Sequence, residues 1–169
     1  MPEEVIEIVD TEGRTIGIRN RSEVHRDPSL LHKVVHVLIF NDAGQLLLQK
    51  RSMKKDVAPG KWDTSVGGHV SPGEDLMVAA LREMDEELGI ASTAIKPLYS
   101  HIFACPFESE LVFTYRGLHN GPFPFNPEEI EEVAFWEIDD IRRALGGGIM
   151  SDNFESEIKI FLSGRLPPL

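Results

Sequence analysis

Runs of apolar residues along the chain predict a domain rich in β-strands. Two short apolar segments on either side of the turn-like residues 10–13 predict an opening hairpin over 5–18. Residues 34–40 and 45–49 are almost continuously apolar, as strands buried on both faces are, so this pair is predicted at the centre of a sheet. Later strands are predicted near 99–103, 111–115 and 133–136.

One segment has a clear helical pattern. On a period of 3.6 residues, one apolar arc is predicted to face the core: Leu76, Met77, Ala80, Leu81, Met84 and Leu88. Ser71 is the predicted N-cap, Pro72 the first helical residue and Glu74 the partner in a capping box, and Gly89 ends the helix. Two shorter closing helices are predicted at 138–145 and 154–162.

Strands therefore outnumber helices, and they do not alternate with helices in a regular way. This pattern predicts the α+β class, with a mixed sheet flanked by helices. The 169 residues contain no repeat, no low-complexity tract and no flexible linker, so we expect one domain over 1–169.

Composition narrows the functional classes. The 28 acidic and 17 basic side chains give a net charge of −11, which disfavours nucleic acid and anionic lipid as partners. Cys105 is the single cysteine, so a disulfide framework and a CxxC metal site are excluded, and we expect it to pack as a small hydrophobe. The sequence contains no apolar run of membrane-spanning length and begins with acidic residues, which predicts a cytoplasmic protein without a membrane segment.

The acidity is concentrated in two segments. Residues 71–90 hold six acids and one base, and residues 126–140 hold seven acids and no base. A basic loop over 50–61 carries five cationic side chains: Lys50, Arg51, Lys54, Lys55 and Lys61. A local positive loop in an acidic chain is suited to attract a small anion, although an ordinary solvated loop would have the same composition.

Three carboxylates lie close together on the predicted helix. Glu83, Glu86 and Glu87 follow the i, i+3, i+4 spacing, which places them on one face. Like charges at this spacing destabilise a helix by about 0.2–0.5 kcal/mol per pair. Two interpretations are open: a solvated acidic face in which Arg82 pairs with Glu86, or a site for a divalent cation that takes oxygen ligands.

The spacing around these acids resembles a known motif. Gly68, five residues, Glu74, seven residues and then 82–90 match the Nudix box, GX5EX7REUXEEXGU with U aliphatic, at every fixed position. Proteins of the Nudix family have a mixed sheet between helices, an α/β/α sandwich, and the box at 68–90 would form a loop–helix–loop. They bind Mg²⁺ or Mn²⁺ and typically hydrolyse a nucleoside diphosphate linked to another moiety.

The resemblance implies roles for individual residues. The metal ligands would be Glu83, Glu86, Glu87 and the carbonyl of Gly68, with Glu74 and Arg82 as positioning residues of the catalytic set. A glutamate acts as general base. Glu86 is favoured and Glu83 is the alternative, and in some relatives the base lies outside the box, which keeps Glu131 and Glu132 as candidates.

A second resemblance extends over about residues 5–140. Five segments look like type I isopentenyl diphosphate isomerase and related hydrolases: 22–25, 32–36, 46–51, 59–63 and 65–69. In that isomerase three His and two Glu bind a divalent metal, and the matching residues here are His25, His32, His69, Glu108 and Glu110. Arg51 and Lys55 match positions that contact diphosphate.

One departure from the isomerase pattern points to hydrolysis. The isomerase needs a catalytic cysteine directly before the Gly-His pair, and this chain has Gly67 there. Its Nudix box is also complete, whereas the box of the isomerases tends to be degenerate. His36 has no role in the pattern and is predicted to pack in the core, as is Trp62.

We therefore expect a metal-dependent Nudix hydrolase that acts on a small-molecule diphosphate. The substrate is either a nucleoside diphosphate derivative or a prenyl diphosphate such as isopentenyl diphosphate. Two other classes of function stay open: an isomerase that uses another acid in place of cysteine, and a catalytically silent ligand-binding module. The apolar hairpin could also form a contact between the subunits of a homodimer.

Overall fold

The computed structural model describes residues 1–165 and 167, and within them nine strands form one mixed sheet. The strands are β1 (Val5–Val9), β2 (Thr15–Asn20), β3 (Leu31–Phe40), β4 (Leu46–Arg51), β5 (Trp62–Asp63), β6 (Val66–His69), β7 (Ile95–Ala104), β8 (Ser109–Leu118) and β9 (Ile130–Trp136). The helices are α1 (Arg21–Val24), α2 (Leu76–Leu88), α3 (Ile138–Ala144) and α4 (Asp152–Ser163).

Strand β3 is the centre of this sheet. It pairs in parallel with β8 over its whole length, from Leu31 opposite Ser109 to Phe40 opposite Leu118. It also contacts three other strands in turn: β1 at its start, β6 in its middle and β4 at its end. Because both edges are paired, β3 lies inside the sheet, and its side chains alternate between the two faces of the sheet.

Helices cover both of these faces. Val35 and Val37 of β3 pack in one core cluster with Met84 of α2. Leu38 and Phe40 pack on the opposite side, in a second cluster with three residues of α3 and α4: Ile141, Phe154 and Ile158. The predicted α+β class and α/β/α sandwich are therefore confirmed, and the continuous apolar run at 34–40 is explained by burial on both sides.

The opening hairpin lies at one end of the sheet. β1 and β2 pair antiparallel, and β1 joins β3 where Ile8 lies opposite His32. Ile8 is buried, whereas Ile16 and Ile18 of β2 are exposed. A dimer contact through this hairpin stays a prediction, as does the extent of one domain over 1–169.

The start of α2 differs from the prediction. The helix begins at Leu76 with Asp75 as its N-cap, whose side chain accepts hydrogen bonds from two backbone N–H groups. Ser71 and Glu74 instead close a separate turn. The physical reason is Gly73, whose φ of 73° is left-handed and cannot continue a right-handed helix back to Pro72. Gly89 ends the helix as predicted, in a left-handed conformation.

The buried face of α2 is also shifted from the predicted arc. Ala79, Ala80, Met84 and Leu88 are buried, but Leu81 is 37% exposed. The helix therefore turns slightly away from the predicted orientation, and its acidic face is directed toward the sheet edge at β6. Among residues 1–165 and 167, no helix combines the length and hydropathy that a membrane crossing requires.

The capping assignment is testable. Asp75→Ala is expected to lower the free energy of unfolding by about 1 kcal/mol, because two backbone N–H groups lose their acceptor. Ser71→Ala is the matched control, since the described bonds of Ser71 use only its backbone. Urea unfolding followed by circular dichroism measures both variants, and equal losses would contradict Asp75 as the cap.

Candidate active site

A cavity of about 1120 Å³ opens between α2, the loop after β4 and the turn between β7 and β8. It gathers most of the site residues predicted from the sequence: His25, Arg51, Lys55, Gly68, His69, Glu83, Glu86, Glu87, Glu108 and Glu110. His32, Glu74 and Arg82 do not line it directly. His32 packs against His69 and Arg82 bonds Glu83, both of which line the cavity, and Glu74 is bonded to Arg82. The fold therefore brings two distant sequence motifs to one opening.

Arg82 organises the acidic face of α2. Its guanidinium makes two hydrogen bonds to the Glu74 carboxylate, at 2.8 and 2.9 Å, and one to Glu83 at 2.7 Å. It also donates to the carbonyl of His69 at 3.0 Å and to Glu86 at 3.3 Å. The hydrogen bond from Arg82 lowers the pKa of Glu74. Arg82 thus ties the turn at 71–74, the end of β6 and the helix together.

Two of the three box carboxylates are withdrawn from solvent. Burial raises the pKa of Glu83, against the opposing effect of Arg82, and burial together with the Glu83 charge raises the pKa of Glu87 to about 8. Glu87 accepts a hydrogen bond from the backbone N–H of Gly67 at 3.0 Å. Glu86 is exposed. The arrangement places acids where their charge is unfavourable unless a cation is near.

Gly68 makes room for one of these acids. A Cβ atom at Gly68 would lie 2.1 Å from the carboxyl carbon of Glu83. The carboxylate therefore rests against the backbone of Gly68, which is possible only because this residue has no side chain. Carboxylate oxygens of α2 thus lie against the backbone of β6, and oxygen atoms are the ligands that Mg²⁺ and Mn²⁺ prefer.

A second cluster of ligand-type side chains also borders the cavity. One nitrogen from each of His25, His32 and His69 lies within 4.8 Å of the others, and the same holds for ligand atoms of His32, Glu108 and Glu110. The Nε2 atoms of His25 and His69 are 3.1 Å apart. The five residues that the isomerase resemblance singles out are therefore neighbours in space.

The electrostatics of this cluster suit a cation. Burial lowers the pKa of His25 to about 4 and that of His32 to about 3, so both rings are neutral near pH 7. Burial raises the pKa of Glu108 to about 7. Nε2 of His32 and Oε2 of Glu108 are buried without a hydrogen-bond partner among the described residues. Neutral imidazoles and orphaned acceptor atoms are the donor set of a metal site.

These features agree with similarities to known proteins. The NUDIX domain profile matches residues 30–154 of the chain. The chain belongs to the NUDIX family. An uncharacterized Nudix hydrolase of Pseudomonas aeruginosa is 34% identical over 132 residues, which cover 78% of both chains. The protein is accordingly a Nudix hydrolase, acting on phosphorus-containing acid anhydrides.

Two further similarities concern the branch and the fold of this Nudix protein. An isopentenyl-diphosphate Delta-isomerase of Streptomyces avermitilis is 34% identical over 137 residues, which cover 78% of this chain and 70% of the isomerase. The crystal structure of DR0079 from Deinococcus radiodurans superposes with a TM-score of 0.81 at 26% identity, covering 92% of this chain and 98% of that one. The predicted similarity to both Nudix hydrolases and the isomerases is thus confirmed.

The basic loop of the Nudix site is largely neutralised. Arg51 pairs with Asp63 at 3.2 Å and donates to the carbonyl of Val57, and Lys55 pairs with Glu129. Lys50 and Lys54 pair with two other acids of the second acidic segment, Glu131 at 3.6 Å and Glu128 at 2.8 Å. Arg51 and Lys55 still line the cavity, but an incoming anion must compete with carboxylates for them.

The loop acids named as alternative bases face elsewhere. Glu131 and Glu132 of β9 are exposed and do not line the cavity, whereas Glu129 does. The sequence offered no means of choosing among these neighbours, because Glu129 lies in the loop before β9 and its place depends on the pairing of that segment with β4. Glu129 is the acid of this segment that lines the cavity, and its charge acts on Glu87 of the box.

One pair of polar residues was missed by the sequence analysis. His36 of β3 and Glu157 of α4 are both buried, and Nδ1 of His36 is hydrogen-bonded to the Glu157 carboxylate. The predicted burial of His36 is confirmed, but its environment is polar. Glu157 shares one helical face with the apolar residues Phe154, Ile158 and Phe161, and an acid on such a face was the available signal.

Replacement of Arg82 tests its organising role. Arg82→Lys is expected to lower the free energy of unfolding by about 1–2 kcal/mol, because lysine cannot reproduce the paired bonds to Glu74 and also reach His69. The guanidinium is 31% exposed, which keeps the loss at the lower end for charged hydrogen bonds. Arg142→Lys, at an exposed pair 3.9 Å from Asp139, should change stability by less than about 0.5 kcal/mol. Similar urea midpoints for both variants would contradict this role.

Proposed function

We propose that this Nudix hydrolase uses Mg²⁺ or Mn²⁺ to cleave a diphosphate linkage by attack of water at phosphorus. The observation that carries the proposal is the approach of the Glu83 carboxylate to the side-chain-free backbone at Gly68, with Glu87 hydrogen-bonded next to it. These oxygens face a cavity of about 1120 Å³, which is large enough for a nucleotide-sized molecule. A nucleoside diphosphate derivative is the substrate class we favour.

In this proposal the cation is held by the carboxylates of Glu83, Glu86 and Glu87 and by the carbonyl of Gly68. A cation held there would supply charge neutralisation for the leaving phosphate and activation of the attacking water. Arg82 and Glu74 act as positioning residues, because their paired hydrogen bonds fix the carboxylate of Glu83.

Glu86 is our candidate for the general base. It is the exposed member of the three carboxylates and bonds only weakly to Arg82, at 3.3 Å, so it is free to turn toward the attacking water. Glu83 is the alternative, and its bond to Arg82 at 2.7 Å argues for a fixed ligand instead. Glu129, at the cavity wall, replaces Glu131 and Glu132 as the candidate outside the box.

Arg51 and Lys55 are proposed to bind the diphosphate. Both cations line the cavity and both are paired with acids, so binding would exchange Asp63 and Glu129 for phosphate oxygens. Arginine suits this role because its planar guanidinium can contact two oxygens of one phosphate. The net positive charge of the site would come mainly from the bound cations.

Prenyl diphosphates form the second substrate class, favoured by the similarity to isopentenyl-diphosphate isomerases. Gly67 has no proton to donate in place of the isomerase cysteine, so we expect hydrolysis to the monophosphate. Phosphate release from nucleotide sugars, dinucleotides, free nucleotides and prenyl diphosphates, each with Mg²⁺ and with Mn²⁺, decides between the classes. Uptake of deuterium from D₂O by isopentenyl diphosphate would instead indicate an isomerase, and no turnover of any substrate would favour a silent module.

We further propose a second metal site at His25, His32, His69, Glu108 and Glu110. The orphaned buried atoms of His32 and Glu108 support it, since burying such groups without partners is costly. This site would orient the substrate beside the box, since His69 directly follows Gly68. A cytoplasmic location and a homodimer stay predictions.

The box assignment makes a kinetic prediction. Glu86→Gln and Glu87→Gln should each lower kcat by at least about 100-fold with the best substrate of the screen, because each removes a base or a metal ligand. Asp85→Asn is the matched control on the same helix, where the exposed acid points away from the cavity lining, and its kcat should stay within about two-fold. Unchanged turnover in both glutamine variants would contradict the site.

The second site makes a binding prediction. Calorimetric titration with Mn²⁺ should resolve two classes of site, and His32→Gln should abolish one of them while the other keeps its affinity within about two-fold. Glu87→Gln should abolish the other class and leave the one that depends on His32. His119→Gln, which replaces a histidine outside the cavity, should retain both classes. A single class that His32→Gln leaves unchanged would exclude the second site.

A further inference from the structure

His36 occupies an unusual position beneath the proposed site. It lies on the central strand β3, directly opposite Gly67 of β6. The residue is 4% exposed, yet it contributes to the lining of the cavity. Its side chain therefore reaches the floor of the cavity from the core side of the sheet, next to the backbone of the Nudix box.

The ring of His36 is held from behind by a buried carboxylate. Nδ1 is hydrogen-bonded to Oε2 of Glu157, which is fully buried on α4. The other oxygen of Glu157 accepts from Tyr99 at 3.1 Å and from Thr114. A carboxylate with three donors stays ionised even when it is buried. The ring is thereby fixed in orientation and carries a compensating positive charge.

The opposite edge of the ring faces Gly67. A Cβ atom at Gly67 would lie 3.1 Å from Cδ2 of His36 and 3.4 Å from Nε2. Among the described residues, Nε2 makes no hydrogen bond. A side chain at position 67 would lie between this edge of the ring and the cavity. Because Gly67 has none, Nε2 of His36 faces the cavity.

The charge of the ring follows from its neighbours. Burial alone lowers the pKa of His36, but the Glu157 charge and hydrogen bond more than offset this and raise it to about 9. Glu110 and Asp63 act in the same direction. Nε2 therefore carries a proton near neutral pH and has no lone pair for a metal ion. A buried charged donor of this kind is costly without an acceptor.

We propose that His36, oriented by Glu157, is a substrate-binding residue whose Nε2–H donates a hydrogen bond to an oxygen of the substrate diphosphate through the space left by Gly67. The inference rests on the proposed function, since it takes the same cavity as the diphosphate site. The imidazolium of His36 on β3 then faces position 67 on β6, where the isomerase has its catalytic cysteine. Glu157 is a positioning residue that acts through His36.

The first test uses the unmodified protein and imidodiphosphate, a diphosphate analogue that resists hydrolysis. In protein labelled with ¹⁵N-histidine and supplied with Mg²⁺, the Nε2–H resonance of His36 is identified by its absence in His36→Gln. Saturation with imidodiphosphate should shift this resonance and slow its exchange with water, while the resonances of His119 stay in place. No change at His36 on saturation would overturn the proposal, whether or not the variants fold.

The second test compares affinities. His36→Gln and Glu157→Gln should each weaken imidodiphosphate binding by about ten-fold, because a hydrogen bond to a charged group or the charge itself is lost. Mn²⁺ affinity should change by less than about two-fold, which a general structural defect would not preserve. Gly67→Cys should also weaken binding of the analogue, since its side chain enters the space facing Nε2. His119→Gln is the matched control and should bind as the unmodified protein does.

The outcomes separate this inference from the proposed function. Metal-dependent hydrolysis with analogue affinity unchanged in His36→Gln would leave the proposed function standing and overturn the role of His36. Analogue binding that depends on His36, without hydrolysis of any compound in the screen, would support the role of His36 and overturn the proposed function. Failure of the unmodified protein to bind imidodiphosphate overturns the inference whatever the screen finds.

Discussion

The register of β3 is the constraint on which the candidate site depends. Pairing with β8 sets His32 opposite Glu110, and pairing with β6 sets His36 opposite Gly67. A slip of one residue would turn every side chain of the strand to the other face, separating the histidines from their partners. The apolar residues between them, such as Val35, are buried and resist such a slip. Core packing thus holds the polar site in place.

Electrostatics bears on how a chain of net charge −11 would bind the proposed diphosphate. The two acidic segments have different uses. In the first, Arg82 bonds the carboxylates of Glu74, Glu83 and Glu86, and it also bonds the carbonyl of His69. The second acidic segment forms ion pairs with the basic loop, as Glu129 does with Lys55, so the unpaired charge of both segments is reduced. Attraction of a diphosphate then depends on bound cations and on the few cationic groups that the cavity reaches.

The sequence predicted what depends on local periodicity and on motif spacing. The central strand, the α/β/α layers and the approach of His25 to His69 were all accessible, because burial patterns and a known motif carry that information. The predicted start of α2 was wrong. The sequence has a capping pattern at Ser71, but Gly73 adopts a left-handed conformation that ends any helix there, and a sequence does not show which conformation a glycine adopts. The predicted burial of Leu81 was also wrong, because this residue lies at the border of the buried arc of the helix.

Contacts between distant parts of the chain were beyond the reach of pattern analysis. His36 and Glu157 are separated by 121 positions; His36 was expected to pack in the core, and Glu157 lay without an assigned role in a predicted closing helix. Glu129 could not be distinguished from its acidic neighbours until β9 was paired with β4. In both cases the decisive information is which side of a strand or helix faces the cavity, and this is set by tertiary pairing.

The exchange at position 67 shows how one Nudix scaffold can separate two chemistries. A cysteine on β6 would be a neutral acid that can give up its proton to a substrate carbon. Gly67 removes that group, and the space it leaves exposes a ring whose proton is held by the charge of Glu157. A charged N–H donor fixed in this way is suited to bind oxyanions. Under the proposed function, this pair of strands presents a fixed charged donor on β3 and no thiol on β6, an arrangement that favours hydrolysis over isomerisation.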